Sequence, residues 1–399
     1  MRVRRPKWHG LFAAAAILLI LPGRASVAAT EVAGQAQPTA HWTKTALSEL
    51  VAIVEDSAKE GLRPADYDLA GLKTALGNER EGAVDARATA SALALAHDYY
   101  FGRVSDRSGM QWLIERSPND AVQLPGPLQQ AIDAGKLRQF FGGLLPVDSR
   151  YRALRDALAD TPAGPARDRL RVNLERWRWM PRATPSDYLY VNVPSYRLQL
   201  FQGGLAVASY DIVVGARETP TPQMVSPTAS LIVNPAWYVP PSIVRKSGLR
   251  AGRDGYVWKP TGDGGRYLVQ LPGPRNALGR IKFNLDNDQS IYLHDTNTKR
   301  VFNRNDRALS HGCIRVKDID QLAAWLLNQG SGDGIALDEA LASPRTATLR
   351  LPQTWPVYIV YFTADVDETG AVTNYGDPYG YDAQVLAALD GAPLLSAAN

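Results

Sequence analysis

The spacing of apolar residues changes period near Pro181. Upstream, Leu47, Leu50, Val51, Val54 and Ala58 recur on one face of a 3.6-residue repeat. The alanine-rich stretch 85–101 opens on a capping-type residue, Asp85, and stops at Gly102; Leu170, Leu174 and Trp177 continue the helical theme. From Tyr188 onward the period is two: Tyr196, Leu198 and Leu200 alternate with Arg197, Gln199 and Phe201. Gly203-Gly204 then admits positive φ and the chain returns over 205–214, which predicts a β-hairpin. Shorter β-type runs follow at 230–233, 267–271, 281–283 and 290–293. A helix is predicted over 318–327, with Ile319, Leu322, Ala323 and Leu326 on one side, and the last β-type run, 357–362, precedes a turn-rich tail. The pattern predicts an α+β protein of two domains: a helical domain over 41–180 and a mainly-β domain over 187–340. Residues 341–399 form a C-terminal segment.

The stretch 236–276 interrupts the strands. It is dense in Gly and Pro, with Arg253-Asp254-Gly255-Tyr256 and Gly262-Asp263-Gly264-Gly265, a composition suited to a functional loop or lid. Trp237, Tyr238, Tyr256, Trp258 and Tyr267 argue for order, because unstructured segments are poor in aromatics. Trp177, Trp179 and His97 fit packing roles better than ligand binding.

The chain has 399 residues, enough for two domains. It begins with Arg2, Arg4, Arg5 and Lys7, an apolar run over 11–21, and small residues around Val27 and Ala29. That run is short for a membrane span, so 1–29 is expected to be a cleaved signal peptide, which places the protein in the periplasm with no stable membrane span. The net charge of +4 belongs largely to this leader. The remainder is near neutral, which gives nucleic-acid binding no electrostatic support.

Export makes the single cysteine informative, since a lone thiol has no disulfide partner. Cys313 stands in Ala308-Leu309-Ser310-His311-Gly312-Cys313-Ile314-Arg315-Val316, and His294 lies nineteen residues upstream. An imidazole that takes the thiol proton raises the nucleophilic fraction and can later protonate a leaving amine. Gly312 lets the backbone turn closely, so N–H groups near Gly312 and Cys313 could face a developing oxyanion, and Asp295 could orient His294. A buried structural thiol is the plain alternative. A zinc site from His294, His311, Cys313 and Asp295 is the sharper one, although HExxH and CxxC spacings are absent.

At these residues the chain resembles the L,D-transpeptidases, exported bacterial enzymes with a histidine followed within twenty residues by Ser/Thr-His-Gly-Cys. It is similar in particular to the long Gram-negative branch with an N-terminal helical scaffold. The likeness extends to Arg171-Val172-Asn173-Leu174-Glu175-Arg176-Trp177-Arg178-Trp179, Asn234-Pro235-Ala236-Trp237-Tyr238-Val239-Pro240 and Tyr292-Leu293-His294-Asp295-Thr296. The resemblance implies Cys313 as nucleophile and His294 as proton acceptor and donor. Gly312 and His311 would border the oxyanion site with Asp295 orienting, and Tyr292, Arg315 and Ser310 would contact substrate. It implies no cofactor and no metal.

The implied reaction takes an acyl group from the third residue of a peptidoglycan tetrapeptide stem, releasing D-alanine, and passes it to a diaminopimelate amine of a second stem in a 3→3 cross-link. The segment 236–276 would cap the cleft. Other cell-wall synthesis proteins are candidate partners. Many members carry a small peptidoglycan-binding module between scaffold and catalytic core, and this sequence has no room for it, so stem capture falls to the cleft, the scaffold or a partner. A carboxypeptidase or cross-link hydrolase of the same fold, and a non-catalytic wall-binding protein, are the alternatives.

Overall fold

A computed structural model describes residues 40–77, 83–116, 123–262, 264–328, 334–367 and 369–391. The leader over 1–29 lies outside them. Among the described residues seven α-helices come first: α1 (Lys44–Asp56), α2 (Leu69–Gly77), α3 (Ala83–Phe101), α4 (Pro125–Asp133), α5 (Leu137–Leu144), α6 (Ser149–Asp160) and α7 (Pro165–Trp179). Thr43 caps α1 by accepting from the Ala46 amide at 3.2 Å, and Leu47, Leu50, Val51 and Val54 are buried on its inner face. The helix over 85–101 is present as α3 and ends at Gly102 with φ +83°. Asp85 does not cap it: its carboxylate takes the Trp42 amide at 2.8 Å. His97 is exposed and hydrogen-bonded to Asp98 at 3.0 Å, so it is a surface residue and not a packed one.

Helix α7 joins the two halves. Pro165 at its start, Asp168 in its first turn and Arg176 and Arg178 in its last agree with the helix dipole. Glu175 is fully buried and accepts from Arg178 (2.9 and 3.1 Å), Trp179 (2.8 Å) and the Val104 amide (2.8 Å). A carboxylate can be buried here because four donor groups replace its water. On its other side Arg176 pairs with Asp382 at 2.6 Å.

The β region comprises β1 (Tyr188–Asn192), β2 (Arg197–Gln202), β3 (Leu205–Gly215), β4 (Met224–Val233), β5 (Trp237–Tyr238), β6 (Tyr256–Pro260), β7 (Arg266–Gln270), β8 (Ile281–Asn284), β9 (Tyr292–His294), β10 (Ala308–Ser310), β11 (Ile314–Val316), β12 (Ala347–Val360), β13 (Ala364–Val366) and β14 (Val372–Asn374). The predicted hairpin is β2–β3, turned by Gly203 and Gly204 at φ +58° and +79°. The large sheet runs β10-β3-β11-β9-β8-β4-β12-β1-β2, and the extra β2–β3 ladder closes the pairings into a cycle. Helices α8 (Pro241–Ser247), α9 (Ile319–Leu327), α10 (Gly334–Ala342) and α11 (Tyr381–Leu389) complete the described chain.

Ending the β domain at 340 omits β12, an interior strand flanked by β1 and β4. The run read at 357–362 is only its end, because the alternating half before it is exposed on one face and reads as loop. The tail also contains a helix, α11. Residues 110–113 of the helical half reach the sheet: Gln223 exchanges backbone hydrogen bonds with Gln111 (2.9 Å) and Leu113 (2.7 Å). Residues from Ala40 onward form one compact unit, so the two domains share a packed boundary and one apolar core runs through both.

Candidate active site

Strands β8, β9 and β11 lie side by side. In their register Lys282 faces His294 across the β8–β9 ladder, and Arg315 faces His294 across the β9–β11 ladder. Cross-strand partners share a face, as do residues two apart, so Lys282, His294, Arg315 and Tyr292 project to one side. Cys313 immediately precedes β11.

The turn that presents the thiol is held from within. Ser310 Oγ donates to the Cys313 carbonyl at 2.6 Å and accepts the Gly312 amide at 3.1 Å. Gly312 has φ +114°, and a Cβ there would meet Ile291 Cδ1 at 3.3 Å, so glycine is required. Thr221 Oγ1 donates to the Gly312 carbonyl at 2.7 Å and accepts the Gly215 amide at 2.8 Å. Ser310 is therefore a brace for the turn, since its hydroxyl is engaged on both sides. The Gly312 amide is engaged too, whereas the Cys313 amide has no acceptor among the described residues.

A cavity of about 620 Å³ opens over this turn, lined by Cys313, His294, Tyr292, Arg315, His311, Ser310 and Lys282. Its roof comes from 236–276: Trp237 and Tyr238 of β5, and Ser242, Ile243 and Lys246 of α8. The described residues of that segment include a three-stranded sheet β5-β7-β6 and a small core of Val239, Tyr256 and Leu268. Of the aromatics that argued for order in the sequence, Tyr256 lies in this core and Trp237 packs against it, whereas Tyr238, Trp258 and Tyr267 are exposed.

His294 is 5 % exposed, and burial together with the positive charges of Arg315 and Lys282 pushes its pKa down to about 3. Its Nδ1 has no hydrogen-bond partner. Burial raises the Cys313 thiol, opposed by hydrogen bonding from Tyr292 and by the charges of Lys282 and Arg315. The resting pair is thus a thiol and a neutral imidazole. No direct hydrogen bond joins them; Cys313 Sγ lies 3.5 Å from the Ser290 carbonyl.

Asp295 differs from expectation. Its carboxylate takes the Arg280 amide at 2.9 Å and pairs with Lys299, sitting where a side chain on Gly279 would be. Only its main chain bears on His294. The same orientation removes Asp295 from any zinc set with His294, His311 and Cys313, and no cluster of three such ligands occurs among the described residues. Sequence reasoning missed Lys282, Thr221 and the register that sets Lys282 beside His294.

The YkuD profile, L,D-transpeptidase catalytic domain, matches residues 186–359, and the Scaffold domain profile matches residues 35–158. Over residues 186–359 this chain is similar to the L,D-transpeptidase catalytic domain. A Haemophilus influenzae protein named "Putative L,D-transpeptidase" is 28% identical over 340 residues, spanning 77% of this chain and 68% of that one. Among solved structures, an L,D-transpeptidase from Mycobacterium smegmatis is 14% identical with TM-score 0.25, over 45% of this chain and 61% of that one. Mycobacterium tuberculosis L,D-transpeptidase 1 is 14% identical with TM-score 0.22, over 44% and 61%. The chain thus spans about three fifths of each mycobacterial structure. The L,D-transpeptidase domain contains the whole cavity, and the scaffold profile ends before α7.

Proposed function

We propose that the protein is a periplasmic peptidoglycan L,D-transpeptidase, exported by its N-terminal leader, that forms 3→3 cross-links by cysteine acyl transfer. The observation that supports this reading is the placement of Cys313, His294 and an unengaged Cys313 amide at one wall of a roofed cavity. Cys313 Sγ attacks the carbonyl of the third stem residue while its proton passes to His294, whose buried Nδ1 has no hydrogen-bond partner in the resting state. The Cys313 amide stabilises the tetrahedral oxyanion. As the carbon–nitrogen bond breaks, His294 returns the proton to the departing D-alanine amine and a thioester remains. A diaminopimelate amine of a second stem then attacks the thioester, giving the cross-link and restoring the thiol.

Transfer to an amine, and not to water, requires water exclusion, and the roof of Trp237, Tyr238 and α8 supports that outcome over a carboxypeptidase. The test is mass analysis of products from tetrapeptide muropeptides: dimers with released D-alanine support transfer, whereas tripeptides alone would make the protein a hydrolase.

A further inference from the structure

Two cations share the cavity of Cys313, and neither is paired with a carboxylate among the described residues. Lys282 on β8 and Arg315 on β11 stand on opposite sides of His294. The Lys282 ammonium lies 4.3 Å from the centroid of the Tyr292 ring, a cation–π contact that holds the flexible side chain over the cavity. The other ionisable groups facing Cys313 are Tyr292 and His294 of β9, His311 of the turn, and Tyr238 and Lys246 from the roof. Among the described residues no carboxylate lines this cavity.

We propose that Lys282 is a positioning residue of the active site, whose ammonium, opposite Arg315 across β9, supplies the positive field that stabilises the Cys313 thiolate. The proposal rests on Cys313 being the nucleophile. When the S–H bond breaks, the electron pair stays on sulfur and the proton leaves to a base. In a cysteine–imidazolium pair the counter-charge would be the ring. Here the ring lies between two cations in a buried setting, which disfavours its charging. His294 still takes the proton in the transfer step, and the fixed cations share the counter-charge to sulfur, an effect that burial makes larger than in water. The same thiolate feels both charges, with burial opposing them.

The test is the pH dependence of Cys313 alkylation by iodoacetamide, a neutral reagent, in the full chain without peptidoglycan. In Lys282→Met the inflection should move up by about one pH unit, slowing alkylation near neutral pH roughly tenfold. Lys282→Arg should keep the parent profile, and Lys282→Gln should repeat the shift if Lys282→Met does not fold. An inflection unchanged in well-folded Lys282→Met or Lys282→Gln overturns the proposal. Because no stem peptide is present, absence of transpeptidation would leave the alkylation result interpretable, and the two ideas fail separately.

Discussion

The hydroxyl of Tyr379 donates to the carbonyl of Gly215 at 2.8 Å and accepts the Thr221 amide at 3.1 Å. Thr221 in turn holds the Gly312 carbonyl, so a residue of the C-terminal tail braces the turn that presents Cys313. Tyr379 stacks on Tyr361 at 5.4 Å, and the Arg176 guanidinium of α7 lies 5.1 Å from the Tyr361 ring. The junction helix and the Cys313 turn are thereby linked through packed aromatics.

Tyr379→Phe removes both hydrogen bonds and leaves a buried carbonyl and amide unpaired, a loss of about 1–3 kcal/mol. A lower melting temperature is expected, together with slower acylation of Cys313 in protein that remains folded. An unchanged acylation rate in a destabilised variant would reduce Tyr379 to a general stability role.

Acid should weaken the fold through His294. Unfolded, the imidazole titrates near 6.5; folded, near 3. Below pH 6.5 the unfolded chain binds a proton that the folded chain refuses, so this contribution is complete above 6.5 and is lost as pH falls toward 3. The melting temperature of the parent should drop more steeply from pH 7 to pH 4.5 than that of His294→Gln. Parallel slopes would show that the ring charges without penalty.

Much of this was legible in the sequence where the signal is local. Gly203-Gly204 marks its hairpin because only positive φ closes a two-residue turn, and the Ser-His-Gly-Cys run carries its own geometry. What the sequence withheld depends on register. Lys282 alternates with Ile281 and Phe283, which points it away from the core, but only the β8–β9 ladder brings it beside His294. The run 290–293 was expected to deliver His294 as a strand. The strand is Tyr292–His294, because Ser290 turns the chain at φ +57°. The roles given to Ser310 and the Asp295 side chain changed because their partners, the Cys313 carbonyl and Lys299, become visible only in three dimensions.

The roof offers a test of acceptor choice. Gly262, Gly264 and Gly265 of the β6–β7 connection do not line the cavity, whereas α8 contributes Ser242, Ile243 and Lys246. Shortening α8 should shift muropeptide products from dimers to tripeptides, since water then competes with the acceptor amine. An unchanged ratio in a well-folded variant would remove the roof from water exclusion.

A strained β-lactam amide offers Cys313 an electrophile whose ring opening drives acylation. Incubation with a carbapenem should raise the intact mass by one adduct, located on the Cys313 peptide. An unmodified mass after prolonged incubation would count against an accessible acylating thiol.

The central claim is that Cys313 carries the acyl group, and the most direct measurement is muropeptide turnover by parent, Cys313→Ala and His294→Ala proteins. The parent should release D-alanine and trap a thioester adduct on Cys313. His294→Ala should lose roughly a hundred- to ten-thousand-fold in rate, in the range for removing a general base. Folded Cys313→Ala should show no turnover and no adduct; turnover near the parent rate would contradict the account.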